Sequence, residues 1–316
     1  MAAVITDDIV SAFYLKRLTD TLVENGYQVA PYVIPNGESS KNFDNLIEIL
    51  NLLAGKKLSR TDVVVALGGG VVGDLAGFAA ACYMRGIHFV QIPTTLLSAI
   101  DSSVGGKTAV NLSAGKNLAG AFYQPDAVIC DVSLLSTLTQ EVFADGCAEV
   151  IKYGVIADKN LFEFIKKPIC DNLIDVITRC VEIKRDIVNE DEREKGVRKL
   201  LNFGHTIGHA IELLSEYRIS HGHAIAAGMA VEARAAVKMN LCAADCLGRL
   251  LKMLRLYNLP ESTDYSADIL SKACLSDKKR DGDSLTMIFP VEIGNCILKD
   301  IPVSDLHSVI QLGLDV

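Results

Sequence analysis

The sequence predicts an α/β domain built on a mostly parallel sheet, followed by an all-α domain. Three observations carry this. Strand-length apolar runs alternate with amphipathic stretches over residues 1–138, the pattern of a parallel sheet with helices on its faces. One buried-type strand runs into a glycine-rich turn and then a helical stretch. From about Thr139 the alternation stops: long amphipathic segments fill residues 140–258, broken by a single proline, Pro168. The expected domains are therefore 1–138 and 139–316.

Taken in order, AAVIT (residues 2–6) is the first strand and ends at Asp7 and Asp8. Residues 9–25 are amphipathic and stop at Gly26. Residues 28–34 read as a second strand; Pro35-Asn36-Gly37 turns, and Glu38-Ser39-Ser40-Lys41 opens a helical stretch to about Ala54. DVVVAL (62–67) is the third strand and leads into Gly68-Gly69-Gly70-Val71-Val72-Gly73-Asp74. Its G-x-G-x-x-G lets backbone approach a pyrophosphate, and the helix N-terminus favours the negative charge. The motif follows the third strand rather than the first, and no acid closes a strand about 20 residues later, as the usual dinucleotide pattern requires. Ribose contacts must then come from elsewhere, such as Asp7 or Glu38.

HFVQIP (88–93) is the fourth strand, followed by Thr94-Thr95. Residues 101–117 read as a glycine-rich loop. Its Gly-Gly-Lys-Thr is not a nucleoside-triphosphate loop, because the required leading glycine is absent and Asp101 lies nearby instead. Lys107, Lys116 and Asn117 either hold an anion there or form a solvated basic loop. AVIC (127–130) closes the strand series.

The second half is organised around LLNFGHTIGHA (200–210). Glu194, Arg198, Asn202, His205 and His209 fall at i, i+4, i+8, i+11 and i+15, one stripe if the stretch is a continuous helix. Gly204 and Gly208 would weaken that helix by about 1 kcal/mol each, so close approach of a ligand or backbone is their expected reason. Two histidines at i, i+4 are also what a plain helix surface produces. SHGHAIAAGM adds His221 and His223, however, so four of the six histidines lie within residues 205–223. Neutral imidazole is a good zinc ligand, and a catalytic zinc takes three protein ligands and leaves a position open. Spacing favours His205 and His209 as the pair. Glu149 and Lys152, one turn apart in CAEVIKYG, read most simply as a helix ion pair.

Composition narrows the function classes. The chain has 316 residues, half of them hydrophobic, enough for a sizeable core. No apolar run approaches the roughly 20 residues of a membrane span, and no secretion signal opens the chain. A net charge of -8 argues against a general nucleic-acid binder. Nine cysteines without a C-x-x-C pair suggest reduced thiols and a cytoplasmic protein.

Together, GGGVVGDLAGFAA, YMRG, IPTTLLSAIDSSVGGKTAVN, GKNLAGAFYQP, AEVIKYG, LLNFGHTIGHAIE, SHGHA and SDKK resemble the 3-dehydroquinate synthase family, over residues 7 to about 294. The resemblance implies a Rossmann-like NAD-binding domain, a helical metal- and substrate-binding domain, a site in the cleft between them, and a homodimer. It implies conversion of 3-deoxy-D-arabino-heptulosonate 7-phosphate to 3-dehydroquinate and phosphate, the second step of the shikimate pathway, with NAD and zinc or cobalt.

By family position the metal ligands are Glu149, His205 and His221, which overrules the 205/209 pair and leaves His209 near the leaving phosphate. Asp101, Lys107, Lys152, Asn202 and His209 match catalytic positions. Lys107, Lys116, Asn117, Lys152, Lys184, Arg198, Asn202 and His209, with one of Lys278 or Lys279, match substrate contacts, and Glu194 lies close to them. Arg85, read alone as a helix C-terminal cation, matches an arginine that reaches the neighbouring subunit's site. NAD contacts match Asp7, Glu38, Lys41, Gly69, Gly70, Val71, Asp74, Thr94, Thr95, Asp101, Ser102, Lys116 and Thr137.

Two departures accompany the match. The family has further strands ahead of the first one here, which implies a mis-assigned start or a trimmed chain. Ile9 stands where the family often has Asn. The alternatives are another sugar-phosphate cyclase, a metal-dependent alcohol dehydrogenase of the glycerol type, which would release NADH, and a non-catalytic binding protein on a decayed enzyme fold.

Overall fold

A period of two along the first strand sets the layering of the N-terminal half. In the computed structural model, which describes residues 1–315 apart from residues 193, 277–279 and 282, β1 (Ala2–Asp7) is buried along its whole length. Ala3 and Ile5 face one core with Ile49, Leu53 and Phe89; Val4 faces another with Val65, Leu67, Leu18 and Ile92. A strand covered on both faces reads as an unbroken apolar run, as this one does. Truncating the fully buried Ile5 to alanine should cost about 2–5 kcal/mol.

The chain divides into two compact units, Met1–Leu138 and Thr139–Val316. In the first, β2 (Val29–Ile34), β3 (Val63–Gly68), β4 (His88–Pro93), an antiparallel ribbon of β5 (Lys107–Leu112) and β6 (Gly115–Phe122), and the short β7 (Ala127–Val128) follow β1. The main sheet has the order β2-β1-β3-β4-β7, and every pairing is parallel. From β1 the chain winds outward to β2 on one side, then to β3, β4 and β7 on the other. The strand order therefore reverses between β1 and β3, the place where open α/β sheets bind ligands at their carboxyl ends.

The ribbon corrects the loop expected over residues 101–117: Lys107 and Lys116 lie in strands. Thr108, Ala109 and Val110 are buried in succession along β5, a run too short to stand out among the surrounding glycines. The amphipathic stretch after β1 is helical but not uniform, with a π-helical turn at Ser11–Leu15 ahead of Lys16–Glu24.

In the second unit the helix His221–Lys238 is buried over most of its length. It packs against Gln140–Ile156, His205–Leu214 and Val303–Leu314. Its run of Ala and Gly lets neighbouring backbones approach: a Cβ on Gly228 would lie 2.1 Å from the Gly204 carbonyl oxygen, and one on Gly222 2.3 Å from Asp145 Cα.

Residues 140–258 are helical, but the unit as a whole is not all-α. A three-stranded antiparallel sheet follows, β10-β9-β8, with β8 (Arg280–Asp281), β9 (Ser284–Glu292) and β10 (Asn295–Pro302). Gly294, at φ 93°, sits in the β9–β10 turn.

The stripe from Glu194 to His209 is not one helix either. Glu194 has φ 59°, residues Val197–Asn202 form a 3-10 turn, and Gly204 at φ 79° breaks the chain before a new helix starts at His205. A side chain at 204 would meet Met229 and the Ile225 carbonyl as well as backbone strain, so this position needs glycine.

Candidate functional site

The break at Gly204 places His205 at the first turn of its helix, where its ring Nδ1 donates to the Phe203 carbonyl at 3.1 Å. His221, at the first turn of the next helix, donates its Nδ1–H to Glu212 Oε2 at 3.1 Å. Both imidazoles thus commit Nδ1 as donor and turn Nε2 to Glu149 Oε1, at 3.6 Å from His205 and 3.5 Å from His221. An Nε2 lone pair aimed at a shared point beside a carboxylate is the arrangement of a metal-binding histidine oriented from behind.

Glu149 is fully buried on the helix Gln140–Ile156 and ion-paired to the equally buried Lys152, and neither of its oxygens makes a hydrogen bond within the described residues. A buried carboxylate left so incompletely satisfied is costly unless a cation completes it. The ligand atoms of Glu149, His205 and His221 all lie within 4.8 Å of one another, and one oxygen and two nitrogens are a suitable zinc donor set. Burial opposes a charge on His221, but the neighbouring Glu149 and Glu212 carboxylates outweigh it and hold the imidazole well above its usual pKa. The pull on a proton here is the pull that a divalent cation would meet.

His209, favoured by spacing, is grouped with Glu212 and His221 rather than with Glu149, its ring 5.3 Å from that of His205. Glu212 is a residue that the sequence reading missed. It is buried, and it fixes the His221 tautomer. Two further buried or part-buried acids were missed. Glu232 Oε2 accepts the Gly204 N–H at 2.8 Å, pinning the break ahead of His205. Asp145 Oδ1 accepts from Ser220 Oγ at 2.7 Å and from the His223 N–H at 3.0 Å, pinning the start of the helix that carries His221. Their common signal was acids inside otherwise apolar helical segments.

Of the remaining expected site residues of this unit, Lys184 and Arg198 are cationic and buried. Lys184 lies on Leu173–Glu190, and Arg198 donates from Nη1 to the Glu192 carbonyl. Asn202 Nδ2 donates to Glu194 Oε1 at 2.5 Å. Lys152, Lys184 and Arg198 together suit a substrate with more than one anionic group. Lys278 and Lys279 lie outside the described residues.

In the N-terminal unit, several of the expected cofactor positions fall at the carboxyl ends of the strands. Asp7 ends β1 and Gly69 follows β3, with Thr6 paired to Leu67 in register. This explains the odd placement of the glycine turn: β3 is third in the chain but borders the point where strand order reverses. Gly69 precedes the helix Gly70–Cys82, whose first N–H groups, including that of Val71, have no acceptor in the preceding turn. A Cβ on Gly73 would lie 2.7 Å from Gln91 Oε1, so the third glycine serves helix–strand packing.

Ser102 packs against Gly70, and Asp101 lies in the same π-helical turn. Thr94 donates its N–H to the Gly68 carbonyl at 3.0 Å, while its buried Oγ1 has no partner among the described residues. That orphan hydroxyl, the open helix N-terminus and the small residues fit a dinucleotide. Burial raises the Asp7 pKa despite its cap on Val10 N at 2.8 Å.

Glu38 accepts from Asn111 Nδ2 at 2.8 Å and lies 3.8 Å from Lys116 Nζ, while Lys41 pairs with Asp74. Asn111, also missed, links the ribbon to these groups. Its flanking Val110 and Leu112 gave no polar signal. Lys107 and Asn117 are exposed on the ribbon, and Thr137 bonds Tyr14 Oη at 2.8 Å. Arg85 is not a helix C-terminal cation: it follows a kink with Met84 at φ 50° and itself at φ 66°.

Comparison with known proteins agrees with both halves. Residues 31–145 match the family model for 3-dehydroquinate synthase N-terminal, and 146–280 that for 3-dehydroquinate synthase C-terminal. A 3-dehydroquinate synthase from Shewanella sp. is 44% identical over 320 residues, covering 97% of this chain and 88% of that protein. Among solved structures, a 2-deoxy-scyllo-inosose synthase complexed with carbaglucose-6-phosphate, NAD+ and Co2+ has a TM-score of 0.89 at 29% identity, over 99% of this chain and 90% of its own. A 2-epi-5-epi-valiolone synthase from Streptomyces hygroscopicus subsp. jinggangensis, with NAD+ and Zn2+ bound, reaches 0.91 at 27%, over 99% and 91%. Two domain models in register with two compact units, and 44% identity through nearly the whole sequence, leave one conclusion: this chain belongs to the 3-dehydroquinate synthase family.

Proposed function

We propose that the chain converts 3-deoxy-D-arabino-heptulosonate 7-phosphate to 3-dehydroquinate and phosphate, within aromatic amino acid biosynthesis. The observation that carries this beyond family membership is the set of buried cations, Lys152, Lys184 and Arg198, in the unit that holds the Glu149–histidine cluster. A carboxylated sugar phosphate needs such charges; a glycerol-type alcohol does not. When bound, NAD takes up and returns hydride, and the metal ion acts as a Lewis acid on a substrate hydroxyl.

The residues divide the remaining work. Glu149, His205 and His221 hold the metal. Lys184, Arg198 and Asn202 hold substrate, with Lys116, Asn117 and one of Lys278 or Lys279. Lys152, Lys107 and His209 meet the phosphate, where charge-assisted donors stabilise the departing group. Asp101 orders the reacting end. Asp7, Glu38, Lys41, Gly69, Gly70, Val71, Asp74, Thr94, Thr95, Ser102 and Thr137 hold NAD.

The assay is phosphate release from the heptulosonate phosphate with NAD and zinc, set against glucose 6-phosphate and sedoheptulose 7-phosphate. The expected result is release from the first alone, with no steady rise in NADH absorbance. Stoichiometric NADH without phosphate would replace this reading by an alcohol dehydrogenase, and a preference for either other sugar by a different cyclase.

The proposal includes a homodimer in which Arg85 serves the neighbouring site. Among the described residues this exposed arginine makes no hydrogen bond or ion pair, yet two successive residues at positive φ hold it out, at about 1 kcal/mol each. Mixing inactive Arg85→Ala and His205→Ala chains should restore roughly a quarter of full activity, since half the dimers are mixed and each has one intact site. A mixture that stays inactive would confine Arg85 to its own chain. No helix among the described residues is long and apolar enough to cross a membrane, and nine free cysteines suit a reducing cytoplasm.

A further inference from the structure

The helix His221–Lys238 carries a buried cation that the reaction does not use. Arg234 is 9% exposed and lines a cavity of about 260 Å³ within the second unit. Ser262, Thr263, Tyr265, Ser266 and Gln311, all with polar side chains, line it too. Arg234 is the only charged residue among the described residues that line it.

Of the five N–H groups of the Arg234 guanidinium, one hydrogen bond is made among the described residues, from Nη1 to the Glu261 carbonyl at 2.6 Å. The nearby Glu261 carboxylate is taken up by Arg255, through Nε and through Nη2 at 2.9 Å. The Glu261 carboxylate is thus committed to Arg255, and Arg234 forms no ion pair of its own among the described residues. Burial opposes the Arg234 charge and lowers its pKa, but a guanidinium stays protonated in proteins. At the cavity edge the ten-residue helix Ala267–Ser276 begins, and the Ser266 carbonyl already accepts from Ile269 and Leu270. Those two N–H groups are taken, which leaves the Ala267 and Asp268 N–H groups without an intrahelical acceptor at the end where Ser266 and Ala267 line the space. Asp268 in that turn is exposed and pairs with His307 Nε2 at 3.2 Å, away from the lining.

We propose that this cavity binds the oxyanion group of a small polar molecule, a phosphate monoester or a carboxylate, with Arg234 as its counter-ion and the hydroxyls as its donors. The volume lies below the roughly 300–1,000 Å³ of drug-sized pockets, so a small metabolite fits and a nucleotide does not. The site is separate from the metal cluster. Arg234 follows His221 by 234 − 221 = 13 positions in one helix, about 20 Å along its axis. The inference does not depend on which reaction the chain catalyses.

The first test uses the unaltered full chain. Crystals soaked in sodium selenate should show an anomalous peak within hydrogen-bond distance of the Arg234 guanidinium. An empty cavity at saturating selenate would overturn the proposal. In solution, calorimetric titration with inorganic phosphate should resolve a binding event that Arg234→Gln weakens at least tenfold and Arg234→Lys weakens less. Acetate that displaces phosphate from this event assigns a carboxylate ligand, and phosphate that resists acetate assigns a phosphate monoester. Unchanged phosphate binding in a folded Arg234→Gln protein would refute the role of this arginine. Should that variant fail to fold, the selenate soak of the unaltered chain decides the matter alone.

Discussion

At the histidine cluster, the groups that would meet a ligand are side chains, held by Glu212 behind His221, Lys152 beside Glu149 and the Phe203 carbonyl behind His205. At the carboxyl edge of the parallel sheet, the groups on offer are largely backbone: the turn at Gly68–Gly70, the open helix N-terminus, and strand ends in register. The first arrangement concentrates uncompensated charge around Glu149. The second concentrates space and N–H dipoles. A metal ion needs a fixed set of electron pairs, whereas a dinucleotide needs close approach over many ångströms. The two regions should therefore answer differently to single substitutions.

The largest effect is expected at the metal ligands. His221→Ala or Glu149→Gln should lose the ion and lower phosphate release by about a thousandfold or more, since a Lewis-acid metal contributes several kcal/mol. NAD affinity should stay within about threefold. Metal per chain after dialysis, and NAD titration of the same samples, would check this, and a parallel loss of both would merge the two regions into one cooperative unit.

Next come the buried cations. Lys184→Ala and Arg198→Ala should each cost roughly tenfold to a hundredfold in kcat/KM, from charge-assisted hydrogen bonds worth about 1.5–3 kcal/mol. The exposed Lys159→Ala serves as the control. Equal behaviour of all three would remove the substrate from this cluster.

Glu212→Gln should weaken metal binding roughly tenfold to a hundredfold, as expected when the group orienting a ligand is changed. Activity at saturating zinc should largely recover. Competition with a chelator measures the first and steady-state rates the second; a variant that binds zinc normally would make Glu212 a packing residue.

The smallest effect separates stability from cofactor binding on the sheet side. Asp7→Asn keeps an effective helix cap. Because burial raises the folded-state pKa of Asp7, its ionisation costs the native state. The sign follows: the wild type is penalised as pH rises through the ordinary carboxylate value of about 3.9 and the higher folded value. The variant should then melt at or above the wild-type temperature at neutral pH, with no advantage below about pH 3, while its KM for NAD rises a few-fold. A lower melting temperature at pH 7 would mean that the carboxylate is a net stabiliser.

Much of this was legible in the sequence, for definite reasons. Apolar runs alternating with amphipathic stretches gave the parallel sheet, because both faces of β1, β3 and β4 are covered. The reversal of strand order was not legible, and without it the glycine turn looked misplaced. The histidines were visible as a cluster, but spacing alone chose His209 over Glu149, because a helix pattern cannot register the positive φ at Gly204. Glu212, Glu232 and Asp145 stood out only as acids in apolar segments, and their partners were not legible for a related reason. Each acts on a backbone or ring far along the chain, and local patterns carry no distant partners. The β9–β10 sheet was lost behind the expectation that an amphipathic second half remains helical to its end.

The contact between Gly204 and Gly228 carries a consequence for descent. It sets how near two helices stand, and so the span across which His205 and His221 can share an ion. A lineage drifting toward a different ion can exchange ligand side chains while keeping that span, but it cannot widen the crossing without moving both histidines at once. In a library randomised at 149, 205, 221 and 228, folded survivors should vary at the first three positions and return glycine at the fourth. The heritable part of this metal centre would then be a bare stretch of backbone, and its ligands the replaceable part.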